Sequence, residues 1–91
     1  MEYLVCYDLK DDRRRIRIAE VLLDFGQRIQ ESVFIVFLEP PLHEKMLIRL
    51  QAELEPTEDK LHVFAICDGC AGKTLALGQG RVPKDEDYYI V

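Results

Sequence analysis

Glu2-Tyr3-Leu4-Val5-Cys6-Tyr7-Asp8 runs into Leu9-Lys10-Asp11-Asp12-Arg13-Arg14-Arg15-Ile16-Arg17, and the change of hydrophobic period at that join decides the fold. Over residues 2–8 the period is that of a strand: Tyr3, Val5 and Tyr7 point one way, Leu4, Cys6 and Asp8 the other. Asp8 ends the row. From Asp11 or Asp12, either able to cap a helix, the period becomes helical, with Ile18, Val21, Leu22 and Phe25 as the apolar stripe and Gly26 as the stop. At about 100° per residue, Arg15 falls at the N-terminal end of that stripe, whereas Arg13, Arg17, Glu20 and Asp24 share the polar face. Arg15 is therefore expected under the sheet edge, toward the end of the first strand.

Working outward, Arg28 to Leu38 reads as one long bent strand with no obvious hairpin turn, Val33, Ile35 and Phe37 on one face and Phe34, Val36 and Leu38 on the other. Pro40-Pro41 opens a second helix, Met46, Leu47, Leu50 and Leu54 give its core stripe, and Pro56 ends it. Lys60 to Asp68 is a further strand, Thr74 to Leu77 a small fourth strand, and Tyr88 to Val91 a terminal strand after an acidic loop. This order fits an α+β domain of the βαββαβ type, with both helices on one face of an antiparallel sheet. The other face carries apolar residues with nothing to cover them, so a homodimer joined sheet to sheet is expected, and the tail is free to add to a sheet edge of either subunit.

Ninety-one residues make a single domain, 1–91, divided into a core over 1–78 and a C-terminal extension over 79–91. A formal charge of −5, from 12 basic and 17 acidic residues, excludes a protein coated all over in basic surface. Positive residues gather from Lys10 to Arg17, with Arg28 following; acidic ones gather at Glu53 to Asp59 and Asp85 to Asp87. Nucleic-acid contact is thus confined to one patch and should depend steeply on salt. No basic segment precedes a long apolar run at the start, and no apolar stretch approaches the roughly 20 residues of a membrane span, so a cytoplasmic protein with no membrane contact and reduced thiols is expected.

Asp8 offers a hard oxygen ligand suited to magnesium, and a two-fold axis would supply a second copy of it. The alternative is a strand-end acid that caps the next turn or pairs with Arg15. The arginines read two ways as well, as forked donors to phosphate or as a solvated helix face balanced by Asp8, Asp11, Asp12 and Glu20. Cys67-Asp68-Gly69-Cys70 is a CxxC at a strand end, either half of a metal site, a redox pair, or simply a turn. Ala71-Gly72-Lys73-Thr74 is not a phosphate loop, because Cys67 stands where that motif requires its first glycine. Ser32 has no neighbouring histidine, which argues against serine catalysis, and the strand aromatics read as core or interface.

Taken as a set, Tyr7-Asp8-Leu9, Arg15 and Arg17, Phe25-Gly26, Arg28-Ile29-Gln30 and Ser32-Val33-Phe34 resemble the CRISPR-associated endoribonuclease family, whose members are also the non-integrase subunit of the spacer-acquisition complex. The resemblance implies a ferredoxin-like fold, a homodimer joined through its sheets, and C-terminal strands able to cross to the partner. It places Mg2+ on Asp8 and nuclease-linked roles on Tyr7, Arg15, Arg17, Arg28 and Phe34. Nucleic-acid contact, to duplex DNA or single-stranded RNA, falls to Arg13, Arg14, Arg15, Arg17 and Arg28. The implied function is a spacer-acquisition subunit in antiviral defence, partnered by a CRISPR integrase and carrying magnesium-dependent endonuclease activity; the alternative is a catalytically silent DNA scaffold bridging integrase dimers. A regulatory or toxin-related domain of the same fold would lack the integrase link.

Overall fold

The computed structural model describes residues 1–83. Over that span the chain forms β1 (Glu2–Asp8), α1 (Asp12–Leu23), β2 (Gly26–Gln30), β3 (Val33–Phe37), α2 (Pro40–Glu53), β4 (Lys60–Ile66) and one short helical turn, α3 (Asp68–Ala71). The sheet order is β2-β3-β1-β4, and every neighbouring pair is antiparallel. Because β1 and β2 both run against β3, they run parallel to each other with β3 between them, the split βαβ arrangement of a ferredoxin-like α+β fold. Their C-terminal ends emerge at the same end of the sheet. That shared end is where the site lies.

Strand alternation and helix period meet in one core. Val5, Phe34 and Val36 from the sheet pack with Ile18 and Leu22 of α1, Phe25 after it, and Met46 and Leu50 of α2, all essentially without exposed surface. Burying each such side chain contributes roughly 1.5–3 kcal/mol, so these few residues supply much of the drive to place both helices on one face. Asp11 caps α1 by accepting the Arg14 N–H at 3.1 Å, and the prolines at the first turn of α2 need no partner for an N–H they lack. His43 of α2 stacks on Tyr3 of β1, ring centres 4.2 Å apart.

Four expectations change. The stretch from Arg28 to Leu38 is not one bent strand but the end of β2, a turn at Glu31-Ser32, and β3; the pair slips register between Arg28 and Gln30, a β-bulge. With the hairpin supplying two strands, β4 completes the sheet, and Thr74 to Leu77 forms no strand; Leu75 and Leu77 lie more than 80% exposed. Two apolar residues between glycine-rich segments bury too little to hold a strand on the sheet. Gly26 does not end α1 through a left-handed turn: α1 stops at Leu23, and Gly26 opens β2 opposite Val36, where a Cβ would stand 2.2 Å from the Ile35 carbonyl oxygen. Asp68 begins α3 instead of ending β4. The terminal strand expected at Tyr88 to Val91 lies outside the described residues.

The face away from the helices carries Leu4, Cys6, Val33, Phe37 and Ile66, all partly exposed, and Phe64 at 50%. None of the helices over residues 1–83 is long and apolar enough to cross a membrane.

Candidate functional site

At the common end of β1 and β2 an open groove of about 690 Å³ is lined by Tyr7, Asp8 and Leu9 from β1 and the residue after it, Arg28 from β2, Glu31 and Ser32 from the turn, and one face of α1 from Arg15 to Leu23. The hairpin turn is bonded directly to β1. The Tyr7 N–H donates to the Ser32 carbonyl at 3.1 Å, and the Tyr7 hydroxyl donates to the Glu31 carbonyl at 3.3 Å. Tyr7 also faces Phe34, ring centres 6.2 Å apart, and the Arg28 guanidinium lies 5.1 Å above the Phe34 ring. Arg28 pairs with Phe34 across β2 and β3, so the two share the helix-side face, and the bulge that follows Arg28 ends the regular ladder there.

Arg15 reaches the same groove from α1. Its Nη1 donates to the Leu9 carbonyl at 2.8 Å, just past the end of β1, and its other Nη pairs with Asp12. The helical-wheel expectation for Arg15 is thus met, whereas the pairing of Arg15 with Asp8 is not seen. Asp8 is exposed, and among the described residues no hydrogen bond or ion pair ties its carboxylate. Strand alternation sets it with Leu4 and Cys6 on the uncovered side of the sheet, at the lip of the groove and opposite Lys60.

Of the five arginines expected at a phosphate backbone, Arg15 and Arg28 line the groove. Arg13 and Arg17 stand on the exposed side of α1, Arg17 within 3.8 Å of Glu53. Arg14 is engaged elsewhere: Nε donates to Asp59 at 2.8 Å and Nη2 to Glu58 at 2.7 Å. That bond holds the Asp59 carboxyl below the usual carboxylate range and the Arg14 guanidinium above its ordinary value. The Asp59 side chain is fully buried and also accepts the Glu55 N–H at 2.9 Å, so the start of α1 is moored to the loop between α2 and β4. This mooring fixes where Arg15 begins its reach. Glu31 is a groove residue that the sequence did not single out, and Glu20 reads there only as a counter-charge on the polar face of α1; no spacing rule links them to Asp8, because the hairpin and the helix bring them there.

Three acidic residues border the groove, Glu20 and Glu31 in its lining and Asp8 at its lip, against Arg15 and Arg28. Carboxylate oxygen is a hard donor suited to magnesium, which needs only one or two protein carboxylates when water or phosphate completes its shell. Among the described residues, no group of three or more His, Cys, Asp or Glu side chains gathers to hold a metal. One protomer therefore offers a donor set compatible with magnesium but does not enclose the ion.

Comparison with known proteins agrees with this architecture. The family model described as CRISPR associated protein Cas2 matches residues 1–74. The CRISPR-associated endoribonuclease Cas2 1 of Chloroflexus aurantiacus is 36% identical, with 100% of both chains covered. The crystal structure of a hypothetical protein from Thermus thermophilus superposes with a TM-score of 0.80 at 34% identity, covering 91% of this chain and 96% of that one. A chain of a partial Cas6-RT-Cas1–Cas2 complex shares the fold, with a TM-score of 0.72 at 21% identity over 99% of this chain and 97% of that one. A βαββαβ core with an unpaired strand-end acid, matched by that family along most of its length, belongs to the Cas2 family of CRISPR-associated proteins.

Proposed function

We propose that this protein is a homodimeric subunit of CRISPR spacer acquisition that works in the cytoplasm beside an integrase and cleaves phosphodiester bonds with magnesium at Asp8. The observation that carries this reading is the exposed, unpaired Asp8 carboxylate at the lip of the groove that Arg15 and Arg28 line. Support for the setting comes from relatives named as CRISPR-associated endoribonucleases and from a fold neighbour that belongs to a Cas1–Cas2 complex.

Each residue has a task that follows from its position. Arg28, held over the Phe34 ring, and Arg15, tethered to the Leu9 carbonyl, present guanidinium forks whose freedom is already reduced, so binding a phosphate costs less ordering entropy. Tyr7 fixes the hairpin turn to the end of β1 and so sets the distance between Asp8 and the Arg28 strand. Asp8 would hold Mg2+ from one or both subunits, and the bound ion would supply neutralisation of the phosphate charge and a lowered pKa for the attacking water. Arg13 and Arg17, exposed on α1, extend the cationic surface along the nucleic-acid backbone.

The test is Asp8→Ala, assayed on labelled single-stranded RNA and duplex DNA with and without magnesium. Cleavage should fall to background while melting temperature, self-association and nucleic-acid binding stay within error of the parent. Cleavage that survives in this variant overturns the catalytic assignment. A parent protein that binds duplex and supports spacer acquisition without cutting either substrate leaves the scaffold role alone.

A further inference from the structure

The Cys67-Asp68-Gly69-Cys70 turn lies outside the groove and takes no part in the activity proposed above. Cys67 is the N-cap of α3, and its Sγ accepts the Cys70 N–H at 3.4 Å, so the first cysteine is folded back over the turn that carries the second. The Ala71 N–H donates to the Cys67 carbonyl at 2.9 Å and closes that turn. Both side chains are exposed and reduced, whereas Cys6 sits half-buried in β1. Residues three apart on a helical turn have Cα atoms about 5 Å apart, inside the range that a disulfide spans without moving the backbone. Among the described residues no third cysteine, histidine or carboxylate joins the pair in a metal-holding group.

We propose that Cys67 and Cys70 form a thiol–disulfide exchange pair that reacts with low-molecular-weight disulfides, Cys67 being the attacking sulfur and Cys70 the resolving one. Hydrogen bonds from the Cys70 backbone and thiol, and from the Gly69 backbone, draw the Cys67 thiol below its ordinary value, against smaller pushes from burial and from Asp68, while the contact with Cys67 pushes the Cys70 thiol up. The thiolate is the nucleophile, so the two sulfurs are unequal before any reagent arrives. In the first step the Cys67 thiolate attacks one sulfur of the small disulfide; a Cys67 mixed disulfide forms and one thiolate leaves. In the second, Cys70 gives its proton to that departing thiolate or to water and attacks the Cys67 sulfur. The Cys67–Cys70 bond forms and the second small thiolate leaves. The protein loses two electrons, and one disulfide becomes two thiols.

The experiment uses the full chain with oxidised glutathione as the probe, followed by intact mass and by peptide mapping without reductant. The parent should lose two hydrogens, link Cys67 to Cys70 and release two glutathione molecules per chain. Cys70→Ser should accumulate a stable glutathione adduct on Cys67, because the residue-70 N–H still donates to that sulfur, and Cys67→Ser should form an adduct on Cys70 measurably more slowly, because among the described residues no backbone N–H donates to the Cys70 sulfur. Cys6→Ser should behave as the parent. Equal rates in the two single variants overturn the assignment of Cys67 as the nucleophile. A parent that stops at mixed disulfides, or that links only between chains, overturns the pair. Neither result bears on Asp8, so failure here is distinguishable from failure of the nuclease reading.

Discussion

Both oxygens of the Asp59 carboxylate are occupied, one by Arg14 Nε and the Glu55 N–H and the other by Arg14 Nη2. Its folded-state pKa lies below the ordinary 3.8, so its stabilisation is complete above that value and is lost as pH falls through the folded one. Asp59→Asn should therefore lower the melting temperature at pH 7, and the gap from the parent should close on acidification below about pH 3.9, the ordinary aspartate range. A gap independent of pH would show that packing, not the ion pair, is lost. At the groove, Arg28→Ala and Arg15→Ala should each weaken duplex binding at low salt and lower the slope of log K against log salt by about 1, whereas Arg13→Ala, farther from Asp8, should leave any cleavage rate little changed. Asp8 and Arg15 were legible in the sequence because period arithmetic places them: one ends a strand, the other starts a helical stripe. The mooring of Arg14 was not, since its partner lies 45 positions away and only the folded chain brings the two together.

Among the elements, β2 is the one whose position depends most on a single side chain being absent. Gly26 lets its backbone approach β3 so closely that a methyl group would meet the Ile35 carbonyl oxygen at 2.2 Å and the Val36 Cα at 2.9 Å, both backbone atoms with little room to move. Gly26→Ala should cost at least about 1–3 kcal/mol, the usual range for forced overpacking, read as a lower urea midpoint. Since β2 carries Arg28, the same variant should also weaken nucleic-acid binding. Both long helices and strands β1 and β4 follow directly from hydrophobic periodicity and the caps that bound them. The hairpin did not, because Glu31-Ser32 contains neither glycine nor asparagine to mark a tight turn, and the bulge between Arg28 and Gln30 breaks the alternation that would have separated its two strands.

On the scale of the molecule, the sheet has one covered side and one that leaves Phe64 half-exposed among Leu4, Val33, Phe37 and Ile66. If a second copy covers this side, Phe64→Asp should weaken self-association at least about tenfold while sparing the monomer fold, because an exposed aromatic that turns charged costs little until it must be buried. Sedimentation equilibrium decides it, and a parent that stays monomeric at tens of micromolar removes the dimer from the proposal. Asp8 belongs to this side by strict alternation with Val5 and Tyr7, which are held inward by the core. Chain length in β1 is thus under as much constraint as residue type. Losing one codon between Leu4 and Tyr7 would force a choice between turning the acid beneath α1 and turning greasy side chains out to solvent, so natural variation at this strand should arrive as substitutions and almost never as insertions or deletions.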